Sequence, residues 1–461
     1  MLLALALAAL VPVGHAFERA APSVPNATAV VGVTDRHLDA QYWVRQQPHP
    51  DRIILDADAI AVQNARLQEQ DRSVHDIERL PARFNAEQVR EWIAPLSAPP
   101  TRTLFDAQGQ TVPAQTLAAL QQALALDRIA ESTAARYGLV VHRADLRTFP
   151  TRLRVFNSQG DTDIDRFQES ALFPGTPVVV IHESQDGQWL FVISRLYAAW
   201  IERRHVALGE RDMVFGYGRK QPALIVTGAT ARTVYNPEQP GVSELQLDMG
   251  VRVPLLADWP ADKPVNGQHP YTSHVIQLPV RGDDGALMLV PALLPRTADV
   301  ASEYLPLTPA NLLGQSFKFL GERYGWGHSY NTRDCSGFVS EVYRSFGVEL
   351  PRNTRDQGVS PALNRIAFDE NDSREKRLQT LRTLEVGDLI YIPGHVMMVI
   401  GQENGQTYLI HDTTGITYRS DGGEIVRAPL NSVAVTPLEP LLVNGEQTFV
   451  DRIDSIQKIR P

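Results

Sequence analysis

The chain holds a single cysteine, Cys335, in the run Arg333-Asp334-Cys335-Ser336-Gly337-Phe338, just ahead of an apolar stretch with helical spacing. Two histidines follow at strand-like positions, His395 and His411. A thiol in the first turn of a helix makes a good nucleophile, because its thiolate gains from unpaired backbone N–H groups and the positive end of the helix dipole. Asp334 is placed to cap that helix, its carboxylate accepting backbone N–H bonds. With one cysteine there is no internal disulfide. Its polar flanks, Asp334 and Ser336, differ from the apolar surroundings of an inert buried thiol. Such a nucleophile needs a base within hydrogen-bond reach and a third group to orient that base. One Cys and two His are also a possible zinc set, but no C-x-x-C or H-x-x-x-H spacing joins them. No metal and no cofactor are expected.

Whether the two imidazoles meet depends on strand register. His395 starts a strand after Pro393-Gly394, and alternation puts His395, Met397 and Val399 on one face. The turn Glu403-Asn404-Gly405 reverses the chain. A three-residue loop sets Gln402 opposite Gln406 and His411 opposite Met397, diagonal to His395 at roughly 7 Å. A four-residue loop sends the rings to opposite faces.

The elements that must position these groups are legible in outline. Thr308 caps a helix with Pro309 at its first position and Leu312, Leu313, Phe317 and Leu320 at helical spacing. A second helix starts near Ser336, with Phe338, Val339, Val342 and Phe346 inward and Gly347 as its stop. Strands follow at 388–392, 395–400 and 407–411. Helices first and an antiparallel sheet afterwards give an α+β domain over 301–461. Upstream, 17–140 reads as a helical unit without chemical motifs, its clearest helix at 114–126. From about 138 short β-prone runs alternate with turns, at 177–181, 189–193, 223–226 and 251–256, with Asp186-Gly187 as a hairpin signal. Two small β-barrels fit, 141–212 and 213–300.

Composition narrows the partners. A chain of 461 residues has room for about three domains of 100–200 residues. It carries 44 Lys and Arg against 53 Asp and Glu, a formal charge of −9, and no long basic block, so nucleic acid and anionic membrane surfaces are not expected partners. Residues 1–16 form an apolar run ending in small residues, the pattern of a secretory signal peptide, though without basic residues before it. No cysteine follows Ala16 to carry a lipid, and no later stretch reaches about 18 uninterrupted apolar residues. The expectation is an exported protein, periplasmic or cell-wall associated, with no integral membrane segment and monomeric.

At these residues the chain resembles the NlpC/P60 family of cysteine peptidases, whose core is papain-like. The resemblance rests on Tyr324-Gly-Trp-Gly327, Asp334-Cys-Ser-Gly-Phe338, Leu350-Pro-Arg-Asn-Thr354, Gly387-Asp388-Leu389 and Gly394-His395-Val396, and covers most of 305–425. The region before it is similar to the bacterial SH3-type modules of larger members, Pro177-Val178 to Trp189 and Tyr197-Ala-Ala-Trp200 matching their first module. The resemblance implies a Cys335, His395, His411 triad. It also implies cleavage between γ-D-glutamate and a diamino acid, meso-diaminopimelate or lysine, in murein peptides with a free N-terminal L-alanine. A module packed over the cleft would exclude peptide still attached to sugar. Asp334, Glu169 and Tyr197 are then candidates for the free ammonium, with Ser336, Tyr324, Asn353 and Thr354 as further substrate contacts and the Tyr324 hydroxyl a candidate oxyanion donor. Three departures stand out: His328 where a second glycine is common, a short segment between Trp326 and Cys335, and Asn353 where an aspartate is common. An acyltransferase or amidase using the same triad, or a non-catalytic wall-peptide binder, are the alternative readings.

Overall fold

Short apolar runs, buried on both faces, build two antiparallel sheets, and the cysteine helix starts where the two approach each other. The structure is a computed structural model that describes residues 28–420 and 422–460. The expected export leader, residues 1–16, lies outside the described residues.

The first sheet has seven strands: β1 (Arg136–Val140), β2 (Ala144–Arg147), β3 (Gln168–Leu172), β4 (Pro177–Glu183), β5 (Trp189–Ile193), β6 (Ala198–Glu202) and β7 (Val206–Gly209). Their order is β3-β2-β6-β5-β4-β1-β7. Two apolar clusters serve it, one around Trp200, Phe191 and Phe149 and one around Val178, Val180 and Leu190. The next β unit differs from the single second barrel expected over 213–300. It is split into a three-stranded sheet, a two-stranded sheet (Thr230–Arg232 with Gln246–Asp248) and the hairpin Ser273–Arg281 with Leu287–Pro295, gathered around Val226, Leu247, Val253 and Ile276.

The second sheet contains β8 (Asn364–Ala367), β9 (Leu389–Ile392), β10 (His395–Glu403), β11 (Gln406–Thr413), β12 (Ser432–Pro437) and β13 (Ser455–Lys458), in the order β8-β13-β9-β10-β11-β12. The stretch Gly321–Tyr324 continues it alongside β12 through bonds of Gly321, Val433 and Tyr324 with Val433, Glu322 and Asn431. Pro309–Phe317 and Cys335–Arg344 precede the sheet in sequence and pack on one face, as expected of the α+β unit, whereas Arg374–Leu381 and Phe449–Arg452, inserted between its strands, join the apolar cluster on the other face.

The stretch expected as one helical N-terminal unit, 17–140, is divided between two cores. Trp43, Leu55 and Ile60 join the cluster of Phe338, Val342, Met398 and Ile410, whereas Ile77, Phe84, Val89 and Leu124 join the first sheet's cluster. Short amphipathic helices lack enough apolar face for a core of their own and adopt that of whatever sheet they touch. No helix among the described residues is long and apolar enough to cross a membrane.

Candidate active site

Cys335 is the first residue of helix α2 (Cys335–Arg344); α1 (Ala57–Gln70) lies upstream. Phe338, Val339, Val342 and Tyr343 are buried along one face of α2 and press it on β10 and β11, so the helix start is fixed by packing along its length. Asp334 caps it, its Oδ1 accepting from the Gly337 N–H at 2.8 Å. A side chain at Gly337 would meet His328 Cε1 at 2.4 Å, which accounts for glycine there.

The two histidines meet by a route the sequence reading did not contain. The β10–β11 turn has two residues, Asn404 and Gly405, both at positive φ, between the pair Glu403 and Gln406. That turn alone would put His411 opposite Met398 and its ring on the wrong face. A bulge between Val399 and Gly401 shifts the register by one, so Val399 pairs with Leu409 and Met398 with Ile410. His411 then falls opposite Met397, with His395 Nε2 2.7 Å from His411 Nδ1. Trp43 packs against the bulge at Gly401, where a Cβ would lie 2.8 Å from its ring. His411 Nε2 is 2.9 Å from Thr436 Oγ1 on β12, a partner absent from the sequence reading. The tautomers along this chain of contacts are set together, because each ring nitrogen's role fixes that of the next. If His411 donates Nε2–H to Thr436, its Nδ1 accepts from His395 Nε2–H, and His395 Nδ1 is left as the open basic nitrogen.

The thiol is buried, 6% exposed, with Thr354 Oγ1 at 3.5 Å; Thr354 opens helix α3 (Thr354–Val359). The Val396 N–H lies against the sulfur, so the thiol sits at the start of β10, beside the His395 backbone. Burial, then the Asp334 charge, push the thiol up to about 11, against the Thr354 hydroxyl and Val396 N–H. Burial drops His395 to about 4 and His411 well below its ordinary range. In the unliganded site burial favours the neutral thiol and the neutral imidazole, against the thiolate that the helix start alone favours.

Tyr324, on the continuation strand beside β12, faces the same side. Its phenol is raised well above its ordinary range by burial and then by the Cys335 and Asp334 charges. The hydroxyl has no hydrogen-bond partner among the described residues.

Asp334 is fully engaged. Its two oxygens lie 3.1 and 2.8 Å from Arg352 Nη1 and Nη2, a bidentate pair, and also take the Gly327 N–H at 3.0 Å and the Ser336 hydroxyl at 3.3 Å. Burial would raise its carboxyl, but Arg352 and His328 hold it at about 2. Arg352 also reaches Ser336 Oγ (2.9 Å), Ser170 Oγ on β3 (2.7 Å) and His328 Nδ1 (2.8 Å). It lies inside the Leu350–Thr354 motif, yet its role was invisible because its partners come from three distant segments.

The first sheet reaches this centre along β3. Glu169 Oε1 accepts from Thr148 Oγ1 at 2.6 Å and Oε2 accepts from the Tyr197 hydroxyl. Tyr197 is raised by burial and by Glu169, while Arg352 and Asn353 pull the other way, so these catalytic-side residues border the phenol. Asn353 is exposed, its amide 3.1 Å from Asp356. Gly327 lies so close to β3 that a Cβ would meet Gln168 Cγ at 2.8 Å, and Trp326 Nε1 donates to the Gln168 carbonyl at 3.0 Å. His328 adopts φ +66°, a conformation that favours glycine, and is held there by Arg352 and by Glu341 Oε1 at 3.2 Å.

Comparison with known proteins agrees with these two parts. Residues 321–434 match the NlpC/P60 family, and residues 154–202 match the SH3 domain of SH3b1 type. The γ-D-glutamyl-L-lysine dipeptidyl-peptidase of Bacillus cereus is 26% identical over 266 residues, 53% of this chain and 67% of that protein. The solved structure of an NlpC/P60 endopeptidase from Photobacterium damselae subsp. piscicida has a TM-score of 0.72 at 17% identity, covering 91% of this chain and 96% of that one. An NlpC/P60 family protein from Bacillus cereus ATCC 10987 has a TM-score of 0.48 at 20% identity, covering 70% and 100%.

Proposed function

From the premise that the chain carries an NlpC/P60 domain and an SH3 domain of SH3b1 type, we propose that it is an exported cysteine peptidase. Its substrates are murein peptides with a free N-terminal L-alanine, cut between γ-D-glutamate and the diamino acid. Residues 141–212 and 213–300 act as accessory modules to a catalytic unit over 301–461. The observation that carries the reading is the thiol at a capped helix start beside a strand whose first residue, His395, is 2.7 Å from a second imidazole.

The chemistry follows from the neutral resting pair. His395 Nδ1 takes the thiol proton as Cys335 Sγ bonds to the γ-glutamyl carbonyl carbon. The oxyanion receives the Cys335 N–H, one of the donors a helix start leaves free, and the Tyr324 hydroxyl. The imidazolium, steadied through His411 and Thr436, returns the proton to the amine as the C–N bond breaks. Water, deprotonated by His395, then opens the thioester. With Asp334 satisfied by Arg352, the ammonium of L-alanine is left to Glu169 and Tyr197. An ammonium lacking its partners there costs about 1–3 kcal/mol, enough to discriminate substrates.

Mass spectrometry after incubation with free murein tripeptide and, separately, with intact sacculi tests the reading. Release of the diamino acid from the tripeptide alone is expected. Cleavage of neither, or equal cleavage of both, contradicts it.

A further inference from the structure

Helix α1 takes no part in the chemistry above, yet it touches both walls of the cleft. On the catalytic side Asn64 Nδ2 donates to the Gly347 carbonyl at 2.7 Å, and Asn64 Oδ1 accepts from the Glu349 N–H at 3.0 Å. Arg66 donates to the Ala362 carbonyl, and Asp71, just past the helix, accepts from the Ser360 hydroxyl at 2.6 Å. Ser360 directly follows α3, the helix whose Thr354 lies against the thiol.

On the barrel side the same helix holds one turn. Gln68 Oε1 accepts from Arg195 Nη1 at 2.6 Å, and the His75 N–H donates to the Arg195 carbonyl at 2.7 Å. Arg195 forks onto Glu349 Oε2 through Nε at 2.7 Å and Nη2 at 2.6 Å. Leu196 packs on Leu67, Val74 and Ala362. One guanidinium thus joins three separate chain segments, two residues before Tyr197. The turn is closed locally by the Ser194 N–H on the Tyr197 carbonyl at 2.8 Å and by the Ser194 hydroxyl, which bonds the Tyr197 backbone at 2.8 and 3.2 Å. That closure shapes the hairpin but does not seat it: its contacts to α1 and to the catalytic unit run through Arg195 and Leu196, the residues just before the Tyr197 that bonds Glu169.

We propose that α1 is a splint that holds the 194–197 turn over the cleft, with Arg195 as its positioning residue, and that it sets the discrimination between free and acylated peptide N-termini. The inference rests on the peptidase reading above. A neutral or shortened side chain leaves Cys335, His395 and Tyr324 in place but frees the ammonium site to move. Binding of the free N-terminus then weakens while bond cleavage continues.

The test uses the full chain, as wild type, Arg195→Met and Gln68→Ala, on L-Ala-γ-D-Glu-diamino acid tripeptide and its N-acetyl form. In both variants KM for the free peptide should rise several-fold with kcat within about two-fold, and the preference for free over acetylated peptide should shrink by about ten-fold for Arg195→Met. Backbone hydrogen exchange at 194–198 should quicken. Gln68→Ala removes a single neutral contact, so the test survives if Arg195→Met does not fold. Wild-type preference and exchange retained in Gln68→Ala, or kcat falling in place of a KM rise, overturns the splint. If wild type cleaves neither peptide, the peptidase reading fails and the splint's role in specificity falls with it; a wild type that discriminates while the variants do too defeats the splint alone.

Discussion

The proposed triad and the proposed mouth of its cleft are built by opposite means. Cys335, His395, His411 and Thr436 all stand on regular elements of one sheet-and-helix unit, within about a hundred residues of each other. The mouth is assembled from turns and side chains of four stretches: Gln68 to His75, the strand carrying Glu169, the turn carrying Arg195 and Tyr197, and Glu349 to Asn353. Bond-breaking chemistry needs fixed distances, and rigid elements supply them. Selectivity tolerates a jointed wall, whose parts are held by ion pairs and hydrogen bonds between chain segments far apart in sequence.

That contrast breaks most severely at Arg352, which belongs to both sides. Removing the guanidinium in Arg352→Met leaves the buried Asp334 carboxylate unpaired and should cost about 3–5 kcal/mol of stability, read from urea unfolding. Unchanged stability would mean that the two regions are independent. His411→Ala leaves His395 without its orienting partner. A loss of roughly 10²–10³ in kcat with little change in KM is expected, the signature of an effect confined to the triad. At the mouth, Glu169→Gln should lower kcat/KM by about 5–150-fold, mainly through KM, on the free-amine peptide and leave an N-acetyl peptide unaffected. A fall in kcat there would place Glu169 with the chemistry.

The smallest expected effect concerns pH. His395 must be unprotonated to accept the thiol proton, which holds above its value of about 4, and the thiol keeps its proton below about 11. The pH profile of kcat/KM should therefore be a broad plateau between these limits, falling on the acid side as imidazolium forms and on the alkaline side as the proton needed by the leaving amine is lost. An alkaline limb well below about 11, where an imidazolium held beside a thiolate loses its proton, would instead indicate a preformed thiolate–imidazolium pair.

The same division governs what could be read without coordinates. The nucleophile, its cap and the helix face came from local spacing, which dictates helix start and amphipathicity within a few residues. The pairing of His395 with His411 was anticipated only as one of two loop options, and neither loop occurs. A two-residue turn and a compensating bulge produce the register, and Trp43, some 350 positions earlier in the chain, covers that bulge. The bias towards a neutral thiol was missed for a similar reason, since burial opposes the helix dipole and burial is a property of the whole fold. His328 is a further case. Its left-handed backbone explains why glycine is common there, but the ring's engagement by Arg352 and Glu341 needed three dimensions.

Everything depends on one sulfur forming and releasing an acyl bond. The most direct measurement is hydrolysis of the free tripeptide by Cys335→Ala, with the unfolding midpoint of the same variant as a control. Turnover should fall by about 10⁴-fold or more with the fold retained; peptide cleavage that persists at the wild-type rate would contradict the nucleophile.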